Sequence, residues 1–61
     1  MTLDEPEAAT VFGYRRGEEV TSARGAGRIR QGYASGAIVQ YEVEGEGGVL
    51  FMASEHELRR R

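Results

Sequence analysis

Ala37-Ile38-Val39-Gln40-Tyr41-Glu42-Val43-Glu44 is followed at once by Gly45-Glu46-Gly47-Gly48 and then by Val49-Leu50-Phe51-Met52-Ala53. This stretch decides the fold. Val39, Tyr41 and Val43 fall on every second position, with Ile38, Gln40, Glu42 and Glu44 between them. A period of two belongs to a strand with one face toward a core, so the first set is expected inside and the second outside. The glycines between the two runs supply the positive φ values of a tight reversal. Ala37 to Glu44 and Gly48 to Ala53 are therefore expected to pair as a hairpin.

Working outward, the same punctuation recurs. Glu18 to Ala23 and Gly27 to Gln31 are short runs separated by a turn at Gly25 and Gly27. In the second of these Ile29 lies between Arg28 and Arg30, which places the isoleucine inward and both arginines outward. Toward the other end, Ser54-Glu55-His56-Glu57 has a hydroxyl three residues before a Glu, the capping-box spacing of a helix start. Only one helical turn fits before Leu58 brings an apolar side chain back to the core and a very short fifth strand begins. Four strands, one helical turn and a final strand predict an all-β fold, a five-stranded SH3-like barrel.

With 61 residues the chain has room for one domain, and small domains bury a modest share of their surface. No Cys is present to staple it, and the lone His56 cannot hold a structural metal by itself. Assembly with a second chain is the remaining remedy. Residues 1–10 are polar and acidic and contain the only proline, Pro6, which suggests a mobile tail preceding a barrel domain over residues 11–61. Phe12 and Tyr14, beside that tail, are expected to dock on the barrel or on a neighbour. There is no basic start followed by an apolar run, and no stretch near the roughly 20 apolar residues of a membrane span, so the expected setting is cytoplasmic.

The net charge is −2, but its sign alternates along the chain. Asp4, Glu5 and Glu7 open it; Arg15, Arg16, Arg24, Arg28 and Arg30 then face only Glu18 and Glu19. Glu42, Glu44, Glu46, Glu55 and Glu57 follow without a base, and Arg59, Arg60 and Arg61 close the sequence. Arg24, Arg28 and Arg30 with Tyr33 form the pattern of cations interleaved with an aromatic that engages phosphates or stacks on a base. The same arginines would also be accounted for by cross-strand pairs with the glutamates of the third strand. Glu42, Glu44 and Glu46 alternate on a solvated strand and loop, where nothing converges them on a dry pocket, so no catalytic residue, cofactor site or metal site is expected. The run Val49 to Ala53 is apolar at every position, hence on both faces of its strand. One face enters the barrel. The other, with Leu50 and Met52 joined by Ile38, is expected to form an apolar patch covered by a second copy or a protein partner, or else within the chain by Phe12 and Tyr14, which are themselves further interface candidates.

Two resemblances bear on function. Gly17-Glu18-Glu19-Val20 followed by Gly25-Ala26-Gly27-Arg28-Ile29 resembles the opening of KOW, CarD-type and UvrD-helicase C-terminal barrels, which implies a nucleic-acid or transcription-complex module. Over Phe12 to Arg60 the chain is similar to the plasmid-type (type II) dihydrofolate reductases, which are homotetrameric SH3-like barrels. Phe12-Gly13, Gly17-Glu18-Glu19-Val20, Gly47-Gly48-Val49-Leu50-Phe51-Met52 and Leu58-Arg59-Arg60 carry that likeness. It implies NADPH and dihydrofolate in a pore between subunits. Of the family's Val-Gln-Ile-Tyr motif only Val49 is matched; Leu50, Phe51 and Met52 stand where the Gln, Ile and Tyr would be. Leucine cannot make the hydrogen bonds of that Gln. The reading favoured by the residues is thus a non-enzymatic interaction module, with the reductase and the nucleic-acid module as alternatives.

Overall fold

The computed structural model describes residues 1–61. Five strands form one antiparallel sheet: β1 (Glu19–Ser22), β2 (Gly25–Ser35), β3 (Ile38–Gly45), β4 (Leu50–Ser54) and β5 (Arg59–Arg60). Their order is β4-β3-β2-β1-β5. The protein is therefore a small all-β domain. A 3-10 turn, Glu55–Glu57, links β4 to β5 as the capping-box spacing predicts, and the two end strands share no ladder of their own. Glu57 accepts hydrogen bonds from the backbone N–H and the hydroxyl of Ser54, both 2.8 Å, and the backbone bond above all holds its carboxyl below the usual range. No helix is long and apolar enough to cross a membrane.

The alternation in β3 has the predicted sense. Tyr41 and Val43 are wholly buried, and Val39 is half-buried against the same cluster. Val20, Ile29, Ala53 and Leu58 join them from β1, β2, β4 and the segment before β5, so every limb of the sheet contributes to one core.

β2 is longer than the run read from the sequence, reaching Ser35 rather than Gln31. Its pairing with β3 shifts between Ile29 and Gln31, a β-bulge that leaves Arg30 as the extra residue. The bulge changes which parity faces inward, so Ile29 and Gly32 are both buried. Gly32 is small for a reason: a Cβ there would lie 2.8 Å from the Phe12 ring and 3.0 Å from Leu3 Cγ. What reads as a strand breaker is the floor on which the N-terminal segment rests.

Residues 1–4, within the segment whose composition suggests a tail, lie along β2. Thr2 bridges to Tyr33, the Met1 ammonium donates to Ala34 O at 3.0 Å, and Ala34 N–H donates to Met1 O at 2.8 Å. Leu3 N–H donates to Gln31 Oε1 at 3.1 Å, and Gln31 returns a bond to Asp4 at 3.0 Å. That bond first, and Arg16 with it, holds the Asp4 carboxyl below its ordinary value. A four-residue helix, α1 (Ala8–Val11), then leads to Phe12. Leu3 and Ala8 supply the apolar area that the acidic composition conceals. Replacing Leu3 with Asp is expected to speed exchange of the Ala34 amide by on the order of tenfold, since about 1.4 kcal/mol of side-chain burial would be lost. The Val43 amide should keep its protection. Equal acceleration at both amides in hydrogen-exchange NMR would show that the strap opens only with the whole domain.

Candidate functional site

The outer surface of β4 and its free edge form the candidate site. β4 pairs with β3 through Glu44↔Leu50, Val43↔Phe51, Glu42↔Met52, Tyr41↔Ala53 and Gln40↔Ser54. Opposite residues share a face, so the inward Val43 and Tyr41 take Phe51 and Ala53 inward with them. Leu50 and Met52 are left outside, 48% and 42% exposed, beside Val49 at 64%. The backbone follows the same alternation. Gly45 N–H donates to Val49 O at 2.7 Å, which sets residues 49, 51 and 53 as those whose polar groups face β3. The N–H and C=O of Leu50 and Met52 consequently point away from the sheet. At Ser54 the outward N–H is already taken by Glu57. The open edge is thus confined to Leu50, Phe51 and Met52.

Ile38, 63% exposed, does not extend this patch. It pairs with Ser35 at the far end of β3, beyond Gln40↔Ser54, where the β3–β4 ladder stops. The continuous apolar surface expected from Ile38, Leu50 and Met52 is two separate ones, because β4 ends before it reaches the Ile38 rung. Phe12 and Tyr14 leave the interface candidates altogether: they are core residues, 6% and 7% exposed. Both rings pack edge-on against Tyr41, with centroids 5.8 and 5.4 Å away.

The arginines of β2 lie outward as expected, but they are engaged. Arg28 pairs with Glu19 of β1 at 3.2 Å and Arg30 with Glu44 of β3 at 3.1 Å. Arg16 and Arg60 are matched to Asp4 and Glu18, and Arg61 to Glu19. Arg24 has no acid within ion-pair distance and lies over the Phe51 ring, 5.6 Å from its centroid. Tyr33 is 44% exposed at the Thr2 bridge, opposite Gln40 of β3. Exposed pairs of this kind are worth little individually, yet each sets a negative charge beside the cation that a phosphate would meet. His56 is exposed in the 3-10 turn.

One polar cluster escaped the sequence reading. The buried Tyr41 hydroxyl donates to Glu55 and accepts from Gly13 N–H at 3.0 Å and Tyr14 N–H at 3.4 Å. Glu55 also accepts from Gly13 N–H at 2.6 Å. Burial first, and the neighbouring carboxylate second, push the Tyr41 phenol well above its ordinary value. Tyr14 in turn donates to Leu58 O at 2.9 Å, and Arg60 stacks on its ring at 4.8 Å while donating to Gly13 O at 2.6 Å. Every polar group of this cluster has a protein partner, and together they fasten the Phe12–Tyr14 arm to the last turn. The signal available in the sequence was the inward phase of Tyr41, since a buried tyrosine hydroxyl needs a partner.

Comparison with protein-family models, curated proteins and solved structures finds no match to this chain.

Proposed function

We propose that this protein is a non-enzymatic assembly module that associates with copies of itself through the outer face of β4. The observation that carries the reading is the exposure of Leu50 and Met52, nearly half of each side chain, on a strand whose second edge is free. Edge strands are ordinarily blunted by charge, proline or cover, and β4 has none of these along Leu50–Met52. The strand order β4-β3-β2-β1-β5 and the turn before β5 support the resemblance to SH3-like barrels. Leu50 and Met52 present hydrocarbon and a thioether where a reductase of the plasmid type would need hydrogen-bonding groups. The ion-paired arginines of β2 weigh against a phosphate-binding surface for the same kind of reason.

Leu50→Glu tests the proposal. A carboxylate inside the contact would be buried without a partner at a cost of several kcal/mol, so the assembly would split instead. Sedimentation at tens of micromolar, on the order of weak self-association constants, should show an oligomer for the wild type and a monomer for Leu50→Glu, both with the same circular dichroism. A monomeric wild type would overturn the proposal.

A further inference from the structure

The geometry points to the form of this assembly: two copies join by antiparallel β4–β4 pairing about a twofold axis at Phe51, so that the sheet runs unbroken from one subunit into the other. This inference rests on the reading of β4 as the self-association surface and names the contact within it.

Three edges of the sheet compete for a partner, and two are closed. β5 is two residues long and both are Arg. The part of β2 that outruns β1 is occupied by Gly17 and Glu18 at Ile29, by the Arg16 side chain at Arg30 O, and by the N-terminal strap at Ala34. β4 alone keeps outward backbone groups beside apolar side chains. Its open length is bounded by the Glu57 bond to Ser54 N–H on one side and by the 3-10 turn Glu46–Gly48 on the other.

That segment is its own complement. With the axis at Phe51, Leu50 stands opposite Met52 of the partner subunit, and Met52 opposite the partner's Leu50. Residues whose N–H and C=O both point outward then face each other, which is the hydrogen-bonded pair of an antiparallel ladder. All four outward groups of each copy are satisfied. Leu50 and Met52 from both copies meet as one apolar cluster on the outer face, an isologous contact of the kind that closes a dimer. The acids of β3 do not oppose it. Glu44 and Glu42 lie on β3, behind Leu50 and Met52, so the acidic rows of the two copies stay three strand spacings apart, roughly 14 Å. That exceeds the screening length of about 8 Å at physiological salt.

The register is open to a direct test because the chain has no Cys. Leu50→Cys and Met52→Cys each change an exposed side chain and should fold. In the proposed pairing a Cys at 50 faces a Cys at 52 of the partner at about 5.5 Å, within disulfide reach. Two copies of the same variant place their cysteines on the diagonal, about 7–8 Å apart, beyond the usual limit. Mixing Leu50→Cys with a mass-tagged Met52→Cys under mild oxidation is expected to give the mixed disulfide in several-fold excess over either homodimer. Cross-linking of single variants as readily as the mixture would overturn the pairing, as would no cross-link in the mixture while the wild type still sediments as an oligomer. Either result leaves β4-face association standing with another geometry. A wild type that sediments as a monomer removes the association itself, and this inference with it.

Discussion

Gly27→Ala is expected to remove more than half of the domain's stability. The added Cβ would stand 2.6 Å from the carbonyl oxygen of Glu44 and 2.6 Å from a Val43 methyl, with the Glu44 carbonyl carbon at 3.1 Å. A side chain can turn aside; the Glu44 backbone cannot, because it belongs to the ladder that pairs Gly27 with Gly45 and Arg28 with Glu44. Relief requires β2 and β3 to separate at the start of the longest pairing in the molecule. Overpacking of this kind costs about 3 kcal/mol, and more when backbone must move, against a stability near the lower end of about 5 kcal/mol for a chain this small. Gly36→Ala is the matched control. Gly36 has φ +61 and open space around its Cβ position, so alanine there meets only the left-handed strain of about 1–2 kcal/mol. Urea titrations of the two variants decide the matter. Equal midpoints would show that β2 and β3 accommodate the methyl group without parting.

Tyr41→Phe is the second large effect, and it has a signature in pH. The substitution keeps the buried ring but leaves Tyr14 N–H without its acceptor and Glu55 with one donor, Gly13 N–H, in place of two, so a loss of about 2 kcal/mol is expected. The phenol is pushed above its ordinary value of 10.0 in the folded state. A raised folded value means that the folded protein holds the proton longer than the unfolded chain does. The resulting stabilisation is complete below pH 10 and declines as the pH rises beyond it. Wild-type stability should therefore fall on the alkaline side, while Tyr41→Phe, weaker throughout, should show a shallower fall. Parallel alkaline curves for the two proteins would remove Tyr41 from the account.

The features legible in the sequence were those governed by local period. Tyr41 and Val43 inside, Glu42 and Glu44 outside, and the turn at Ser54–Glu57 all follow from neighbours two or three residues apart. What escaped depends on relations that no local pattern encodes. Placing Ile38 relative to Met52 requires the register of β4 on β3, which is set by the geometry of the Gly45–Gly48 reversal. Arg28 finds Glu19 on β1 rather than a glutamate of β3 because the ladders on its two sides offer both. Gly32 reads as an interruption until Leu3 and Phe12 are seen to rest on it. Phe12 and Tyr14 could face a neighbour or the core on sequence grounds alone, and the choice is made by Tyr41 and Leu58, the latter 44 residues beyond Tyr14.

The bonds that tie Gly13 and Tyr14 to Glu55, Leu58 and Arg60 also dictate when the fold can be completed during synthesis. The ribosome releases the Phe12–Tyr14 arm first and its anchors last, up to 47 residues later. The β1–β3 meander can emerge and pair early and already offers the aromatic arm Tyr41, but the arm's other anchors are missing until Arg60 has left the exit tunnel. Loop closure over so long a stretch makes this a late and slow step. A nascent chain stalled between β4 and β5 would hold the Phe12–Tyr14 arm by Tyr41 alone, without its bonds to Glu55, Leu58 and Arg60.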